Sequence, residues 1–234
     1  MNDTGILYIV STPIGNLDDI TFRAIEILKS VDLIACEDTR HSSKLLSHYD
    51  IQVKKISYYD EIEERRSAEI VRELLSGKNI ALISDAGTPT ISDPGYRLVR
   101  KAIDTGISVI PIPGSSSILT ALIASGFATD RFTFEGFLPR KKGRRTRIEE
   151  LAKETRTIIL FESPLRLQKT LSDLKLSFGD RNISIGREMT KYYEEYIRGS
   201  IAKVLEYFNE NKPKGEFVIV IEGLTRKLKK LQDD

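Results

Sequence analysis

A short polar loop follows an apolar run near the middle of the chain and carries residue types that a small-molecule site needs. Ile80–Ile83 is unbroken and apolar, which predicts a strand buried on both faces. Ser84, Asp85, Ala86 and Gly87 follow it directly and supply a hydroxyl, a carboxylate and a residue without a Cβ. Ligands of open α/β sheets lie outside the carboxyl ends of the strands, so this loop is a candidate ligand site. An ordinary strand-to-helix connection explains the same residues equally well.

Other predicted strands of the first half also end in polar or small residues. These ends are Ser11-Thr12, Glu37-Asp38, Ser57-Tyr58 and Pro113-Gly114. Because ligands of such sheets lie at the carboxyl ends of the strands, we expect these residues to gather at one functional edge. Gly- and Ser-rich ends allow a ligand to approach the backbone, which suits a small polar and aromatic ligand more than a polyphosphate.

Several common site motifs are absent from the sequence. There is no G-x-x-x-x-G-K-[ST], no G-x-G-x-x-G after the first strand and no G-x-S-x-G. This argues against a P-loop nucleotidase, a usual dinucleotide enzyme and a serine hydrolase of the elbow type. His41 and His48 have no Cys or His cluster around them, so no metal site is expected.

The apolar pattern predicts alternating strands and helices in the first half, and the second half alternates more. Predicted strands of the first half include Ile6–Val10, Leu33–Cys36, Val53–Ser57 and Ile107–Ile112, and predicted helices include Glu63–Leu75, one capped by Asp93 with Pro94 first, one opened by Ser42-Ser43, and one from Ser115 to Gly126. In the second half, strands are predicted at Ile158–Phe161, Ile183–Ile185, Tyr192–Ile197 and Phe217–Ile221, and helices at Leu165–Phe178 and Ser200–Phe208. The predicted domains are an N-terminal α/β domain at 1–113, a C-terminal α/β domain at 114–225 and a tail at 226–234.

Composition sets broad limits on the class of protein. Of the 234 residues, 30% are charged, and the net charge is +2. This nearly balanced charge does not indicate any class of binding partner. The single cysteine, Cys36, excludes an internal disulfide and lies among apolar residues, which favours a buried side chain over a reactive thiol. No apolar run approaches the roughly 18 residues of a membrane span, and no signal pattern is visible, so we expect a cytoplasmic protein.

Seven segments together resemble one known family. They are L-Y-I-V-S-T-P-I-G-N-L-D-D-I-T (Leu7–Thr21), D-L-I-A-C-E-D-T-R (Asp32–Arg40), S-D-A-G-T-P-T-I-S-D-P-G (Ser84–Gly95), P-I-P-G-S-S-S (Pro111–Ser117), F-E-G-F-L-P (Phe134–Pro139), F-E-S-P-L-R (Phe161–Arg166) and G-R-E-M-T-K (Gly186–Lys191). The set resembles the bacterial ribosomal RNA small subunit methyltransferase I family of the tetrapyrrole methylase superfamily. Two positions depart from it: Leu165 stands where relatives often have His, and Ser115 where many have Pro.

The resemblance implies both an activity and an architecture. The activity is S-adenosylmethionine-dependent methylation of a cytidine ribose 2′-oxygen in the decoding region of 16S ribosomal RNA, with the RNA or the small ribosomal subunit as partner. The fold class is α/β, with two α/β domains of the tetrapyrrole methylase (class III SAM-dependent methyltransferase) type, the cofactor cleft between them, and a homodimer. The implied cofactor contacts are Pro13, Ser84, Asp85, Ala86, Gly87, Ile91, Ser116, Ser117, Phe161, Met189 and Gly223.

The implied chemistry needs a group that activates the ribose hydroxyl. A hydroxyl is a poor nucleophile until its proton leaves, so a base, or a cation beside the alkoxide, is expected. Glu37, Arg40, Glu188 and Lys191 are the candidates because they follow predicted strands within the motifs. A structural ion pair is the alternative for each of them, and no metal is required.

A basic cluster favours RNA over a small-molecule substrate. Its members are Arg140, Lys141, Lys142, Arg144, Arg145 and Arg147, which have no acidic run near them until Glu149-Glu150. Lysine and arginine that contact phosphates release counterions, so we expect an RNA-binding loop here, with a solvated basic face as the alternative. Two other functions stay open: a tetrapyrrole or diphthamide-pathway methyltransferase, which should not need this cluster, and a non-catalytic RNA-binding module, which would not bind the cofactor.

Overall fold

The computed structural model describes residues 4–225, and these form two compact units, one up to Ser116 and one from Ser117 onward. Each unit contains one sheet of five strands with helices on both faces. The predicted fold class of two α/β domains is therefore confirmed. The predicted tail at 226–234 lies outside the described residues.

Unit 1 alternates strands and helices along the chain. Its strands are β1 (Leu7–Val10), β2 (Leu33–Cys36), β3 (Lys55–Ser57), β4 (Ile80–Ile83) and β5 (Val109–Ile112), and its helices are α1 (Phe22–Ser30), α2 (Thr39–His48), α3 (Glu63–Leu75) and α4 (Tyr96–Asp104). Short 3₁₀ turns occupy Leu17–Asp19 and Asp60–Ile62.

The sheet of unit 1 is entirely parallel, in the order β3-β2-β4-β1-β5. Successive side chains of a strand face opposite sides, so Leu82 joins the core under α3 and α4, whereas Ala81 and Ile83 join the core under α1 and α2. A strand buried on both faces has a continuous apolar sequence, which is why the sequence predicts β4 with its observed bounds. Since all five strands run the same way, their carboxyl ends meet at one edge.

Unit 2 has a mixed sheet. Its strands are β6 (Phe132–Phe137), β7 (Thr157–Glu162), β8 (Asn182–Arg187), β9 (Glu195–Ser200) and β10 (Phe217–Ile221), and its helices are α5 (Ser117–Ser125), α6 (Arg144–Leu151), α7 (Leu167–Phe178) and α8 (Ile201–Glu210). The strand order is β6-β7-β10-β8-β9, with β6 and β7 parallel and the other pairs antiparallel. α6, α7 and α8 cover one face and α5 covers the other.

A bulge in β6 changes which aromatic side chains meet. The register shifts between Phe134 and Gly136, and Gly136 has a φ of +63°. Phe134 and Phe137 consequently both contact Phe161 of β7, with ring centroids 4.9 and 5.6 Å away. The bulge explains why these phenylalanines do not keep the two-residue spacing of a regular strand.

Several predicted element bounds are wrong. Asp93 and Pro94 do not begin α4, because Gly95 holds the N-cap position and the helix starts at Tyr96. The helix predicted to open at Ser42 starts at Thr39, capped by the side chain of Asp38. β9 begins at Glu195, so the two tyrosines predicted to begin that strand lie in the preceding turn.

Candidate active site

The ends of β1 and β4 are joined through their backbones. The N–H of Thr12 donates to the carbonyl of Gly87 over 2.8 Å, and the N–H of Gly87 donates to the carbonyl of Thr12 over 3.0 Å. The hydroxyl of Thr12 also donates to the Ser84 carbonyl over 3.2 Å. Gly87 has a φ of +78°, and a Cβ there would lie 3.4 Å from Cγ2 of Ile14. Glycine therefore suits this buried point, where a side chain would need a left-handed backbone and would press on Ile14.

The end of β5 joins the same arrangement. The hydroxyl oxygens of Ser11 and Thr88 are 3.2 Å apart, and the Thr88 hydroxyl lies 3.2 Å from the Ser115 carbonyl, to which it can donate. A Cβ at Gly114 would approach Cβ of Ser11 to 2.9 Å, so glycine allows these two strand ends to meet. Contacts among three strands thus position the predicted cofactor residues of unit 1 that follow them, namely buried Pro13, Ser84 to Gly87, and Ser116. Ser117 is the first residue of α5 in unit 2.

The rest of the loop after β4 has an unusual backbone. Thr90 and Ser92 have positive φ values of +75° and +63°, which cost about 1–2 kcal/mol each for residues with a Cβ. The buried carboxylate of Glu63, on α3, holds the far end of the loop by accepting the N–H groups of Gly95 and Arg97 over 3.0 and 3.3 Å. Ile91 lies at the exposed part of this loop. A distant helix thus determines the shape of the predicted cofactor loop.

Carboxylates concentrate at this edge of unit 1. The pKa of Glu37 is raised by burial and then by the negative charges of Asp85, Asp93 and Asp60. Burial also raises the pKa of Asp93, with Asp85 and Asp60 adding to it and the hydroxyl of Ser84 opposing it. Asp85 in turn accepts the N–H of Asp38 over 3.2 Å. Such mutual repulsion disfavours a polyphosphate at this edge and favours a cationic ligand.

Arg40 is the second predicted catalytic residue of unit 1, and the structure pairs it locally. Its guanidinium contacts both carboxylate oxygens of Asp38, at 3.3 and 3.1 Å, while the carboxylate also accepts the Arg40 N–H over 2.8 Å. These contacts with Arg40 lower the pKa of Asp38 to about 2. The side chain of Arg40 nevertheless stays exposed, so it remains accessible to an anion.

In unit 2, Phe161 and Met189 lie at the same end of the sheet. Val218 at the start of β10 pairs with both Phe161 on β7 and Gly186 on β8. A Cβ at Gly186 would approach Sδ of Met189 to 2.6 Å, so the glycine makes room for the buried methionine.

Gly223 lies apart from the other predicted cofactor residues of unit 2. It follows β10 at the opposite end of the sheet, where its Cβ would clash with the carbonyl of Thr155 at 2.1 Å. Phe161 pairs with Val218, five residues earlier, so Gly223 and Phe161 are separated by roughly 17 Å at about 3.4 Å per residue. The glycine allows close backbone packing there, and its assignment to the cofactor stays a prediction from the resemblance.

Glu188 and Lys191 form an internal ion pair. Nζ of Lys191 lies 3.2 Å from the carboxylate of Glu188 and 2.9 Å from that of Glu216. Burial alone would raise the pKa of Glu188, but the N–H of Glu216 and the Lys191 ammonium outweigh it, so the pKa is lowered. A lowered pKa makes Glu188 a weak base, and the geometry favours the structural alternative for both residues.

The basic cluster is not the unpaired loop that the sequence predicts. Arg144 begins α6 and is buried, with Nε 2.9 Å from Asp173, and it also donates to Thr170 over 2.9 Å. Arg147 pairs with Glu135 and Glu150 over 2.5 and 2.8 Å. Asp173 lies on α7 and Glu135 on β6, so the run of basic residues alone does not indicate these pairs. Burial and pairing favour a packing role for Arg144, and its assignment to RNA stays a prediction.

Four members of the cluster, Arg140, Lys141, Arg144 and Arg145, line a large groove. Its volume is about 1020 Å³, and its basic residues are Arg140, Lys141, Arg144, Arg145, Lys153 and Lys169. Arg140, Lys141 and Lys142 are exposed and have no ion pair within residues 4–225. Lys153 follows α6 and Lys169 lies on α7, so neither belongs to the basic run from which the sequence predicts this surface. Two acidic residues, Glu149 and Asp173, also line the groove. The basic residues outnumber them, so the groove has a net positive charge.

Three other expectations bear on the site. Cys36 is fully buried and burial raises the pKa of its thiol, as expected for a packing residue. No group of three or more His, Cys, Asp or Glu side chains with metal-binding geometry occurs among the described residues. No helix in the described part of the chain is long and apolar enough to cross a membrane.

Comparison with known proteins identifies relatives of the whole chain. The sequence pattern of the tetrapyrrole (corrin/porphyrin) methylases matches residues 6–205. The chain is 54% identical to the ribosomal RNA small subunit methyltransferase I of Synechocystis sp., over 94% of this chain and 80% of that protein. It is 52% identical to the protein of the same name from Bacillus subtilis, over 95% of this chain and 76% of that protein.

Solved structures show the same fold at low identity. A cobalt precorrin-4 methyltransferase of cobalamin biosynthesis superposes with a TM-score of 0.68 at 18% identity, covering 93% of this chain and 94% of its own. The uroporphyrin III C-methyltransferase of Thermus thermophilus superposes with a TM-score of 0.67 at 15% identity, covering 97% of this chain and 100% of its own.

Proposed function

The chain belongs to the tetrapyrrole methylases and, within them, to the ribosomal RNA small subunit methyltransferase I family, and on that premise we propose that it methylates the ribose 2′-oxygen of a cytidine in the decoding region of 16S ribosomal RNA. The methyl donor is S-adenosylmethionine. The observation that carries this proposal is the contrast in similarity: 54% identity to a ribosomal RNA methyltransferase, against 18% to a tetrapyrrole methyltransferase that shares the fold.

The unit 1 edge fits the donor in shape and charge. S-adenosylmethionine supplies a methyl group that is already activated on a positively charged sulfur. Glu37, Asp85 and Asp93 produce a negative potential that favours such a cation. Gly87 lies where the ends of β1 and β4 are joined, and glycine keeps this part of the loop free of a side chain. We assign cofactor binding to this loop together with Pro13, Ile91, Ser116 and Ser117, and to Phe161 and Met189 of unit 2.

The chain's own groups have to orient the ribose and remove its proton. Glu37 is the proposed base. Its carboxyl pKa is raised and is therefore closer to the pKa of the ribose hydroxyl from which it must accept a proton. The exposed guanidinium of Arg40 suits a phosphate of the same nucleotide. Glu37→Gln is expected to lower kcat about 10²-fold, within the usual range for a general base, with Glu26→Gln on α1 as a control.

The basic groove of unit 2 is the proposed docking surface for RNA. Its exposed members Arg140, Lys141 and Arg145 can meet phosphates without breaking a buried contact, and exposed Lys142 is next to them in the sequence. Arg147 is half-buried in a pair with Glu135, so we assign it to holding α6 in place.

The experiment is transfer of radiolabelled methyl from S-adenosylmethionine to small ribosomal subunits from a strain that lacks this activity. Alkaline hydrolysis then locates the label, since a 2′-O-methyl group blocks cleavage at its own nucleotide. Label in an alkali-resistant dinucleotide with cytidine on the 5′ side supports the proposal. Label in a base, transfer only to a porphyrinoid, or failure to bind S-adenosylmethionine would each contradict it. Naked 16S RNA in a parallel reaction identifies the preferred partner.

A homodimer and a cytoplasmic location complete the proposal. Ile123 on α5 is largely exposed, although the helix is apolar, and a second copy of the chain would bury it. Sedimentation at micromolar concentration tests this assignment: a monomer at all concentrations would contradict it. A cytoplasmic location follows from the proposed substrate.

A further inference from the structure

Two neighbouring tyrosines in the turn between β8 and β9 are exposed to an unusual degree. Tyr192 is 92% exposed and Tyr193 is 68% exposed. Their rings meet edge to face, with centroids 4.9 Å apart and planes at 88°. Large aromatic side chains are normally buried, at least in part, so two adjacent exposed rings are informative.

The turn that carries them is held in a defined shape. Glu188 and Thr190 have φ values of +46° and +67°, a conformation that must be maintained by surrounding contacts. The carboxylate of Glu188 accepts the N–H of Glu216 over 2.8 Å and pairs with Lys191, which begins the tyrosine segment. The tyrosines are therefore presented by a fixed backbone.

A second contact holds the far side of the same turn. The carboxylate of Glu194 accepts the N–H of Thr190, and the N–H of Glu194 donates to the carbonyl of Lys191 over 3.1 Å. Tyr192 and Tyr193 lie between these two anchored positions. Their exposure is a property of the folded turn, since both ends are tied.

A groove with an available cation lies beside Tyr193. It has a volume of about 450 Å³ and is lined by Arg187, Glu188, Tyr193, Lys214 and Gly215. This lies within the range of small-ligand sites, roughly 300–1,000 Å³. Lys214 is exposed, and its ammonium has no hydrogen bond or ion pair with the described residues.

The acidic residues around the groove are already engaged. Glu188 and Glu216 share Lys191, and Glu195 pairs with Arg187 over 3.0 Å and accepts the Tyr207 hydroxyl over 2.7 Å. Lys214 is thus the cation of this surface that has no ion pair with the described residues. An aromatic face beside a free ammonium matches the chemistry of a nucleotide, which combines a flat base and a phosphate.

We propose that Tyr192 and Tyr193 form a stacking site for an unpaired nucleobase of the RNA substrate, with Lys214 meeting the adjoining phosphate. Sequence-specific and single-stranded RNA recognition commonly stacks splayed bases on tyrosine rings. The proposal rests on the proposed function, since it concerns the same substrate. It assigns to this turn a role in holding RNA that is separate from the basic groove at α6 and α7.

The kinetic test compares variants that remove or keep the aromatic face. Replacing both tyrosines with Ala is expected to raise KM for the ribosomal substrate roughly five- to hundredfold, as for loss of a base stack, with kcat within about twofold. Replacing both with Phe keeps the rings and is expected to keep KM. Unchanged KM in the Ala variant overturns this proposal while leaving the proposed function intact, whereas a wild-type protein that methylates no RNA overturns the function itself.

A spectroscopic test reads stacking directly, because the chain has no tryptophan. Tyr192→Trp introduces one fluorescent reporter at the turn, and Phe22→Trp introduces a control reporter on α1, where Phe22 is also largely exposed. A short unstructured cytidine-rich oligoribonucleotide is expected to quench the reporter at the turn but not the reporter on α1. An abasic oligonucleotide of the same charge is expected to quench neither. Equal responses of the two reporters, or equal quenching by the abasic strand, would overturn the assignment.

Discussion

Nε of Arg144 lies 2.9 Å from the carboxylate of Asp173, and this pair joins α6 to α7 beneath the most basic stretch of the chain. Arg144 is also 2.9 Å from the hydroxyl of Thr170, which itself donates to the buried carboxylate of Glu162 over 2.5 Å. One arginine of the cluster therefore completes a buried polar network. Arg140, Lys141 and Lys142, earlier in the same run, have no ion pair with the described residues and are exposed, so they can meet phosphates.

Arg144→Ala is expected to destabilise the protein. Breaking a buried pair costs roughly 3–5 kcal/mol, and the partial exposure of Asp173 reduces this to about 2–3 kcal/mol. Urea unfolding measures the decrease in the free energy of unfolding, and Asp173→Ala should show a similar decrease, with the double variant showing coupling between the two. A stable Arg144→Ala protein with weakened RNA binding would instead place Arg144 among the RNA contacts.

The exposed cations should control RNA affinity without affecting stability. Replacing Lys141 and Lys142 with Ala is expected to weaken binding and to flatten the log–log salt slope by about 0.7–0.9 for each phosphate that is no longer neutralised. The matched control replaces Lys29 and Lys44, two exposed lysines of unit 1, and removes the same charge. An equal decrease of affinity in both double variants would show that net charge, and not this surface, determines binding.

Gly87→Val is expected to weaken S-adenosylmethionine binding. The φ of +78° disfavours a β-branched residue, and its added atoms would cover the backbone at the joined ends of β1 and β4. Gly106→Val is the matched control, because Gly106 in the same unit has a φ of +74° and open space around it. Calorimetry should show reduced affinity for the first variant only; equal affinities in two folded variants would remove Gly87 from the site.

The strand ends of unit 1 could be predicted because parallel strands buried on both faces leave continuous apolar runs. The sequence predicts the bounds of β4 and β2, and the polar residues after them follow directly. A local sequence pattern does not show which residues, distant in the sequence, will contact it in the fold. Glu63 binds the N–H of Gly95 from another helix, so Asp93-Pro94 resembled a helix start that the fold does not use.

The same limitation applies to unit 2. A dense run of basic residues indicates a charged surface, but whether each is paired depends on Asp173 and Glu135, which are far away in sequence. Gly223 was assigned to the cofactor by family likeness, and only strand pairing shows which end of the sheet it occupies. The cofactor and RNA roles of the remaining candidates stay predictions.

Glu37 links cofactor binding to pH. Its pKa is raised by burial and by neighbouring carboxylates, and a cationic ligand binds best when these groups are ionised. Affinity for S-adenosylmethionine should therefore fall as pH decreases through the raised pKa values of Glu37 and Asp93. Calorimetry across the acidic range measures this, and Glu37→Gln should have lower affinity at neutral pH and a shallower pH dependence. A wild-type affinity that does not change with pH would contradict the charge argument.

The same carboxylate should reduce the stability of the ligand-free protein at neutral pH. Because the folded-state pKa of Glu37 is raised above its ordinary value, the folded chain holds this proton more tightly than the unfolded chain does. The stabilisation of the folded chain by this proton is present at low pH and is lost as pH rises through the folded-state pKa.

Glu37→Gln removes that loss of stability. The Tm of the variant at neutral pH should therefore exceed the wild-type value by about 2 °C or less, given the screening of a half-exposed group. The difference should vanish below the ordinary pKa of a glutamate, and Glu26→Gln, at an exposed position on α1, should shift Tm at neither pH. A lower Tm for Glu37→Gln at neutral pH would mean that the carboxylate stabilises the loop, and the site would then be organised by hydrogen bonds and not by charge repulsion awaiting a cation.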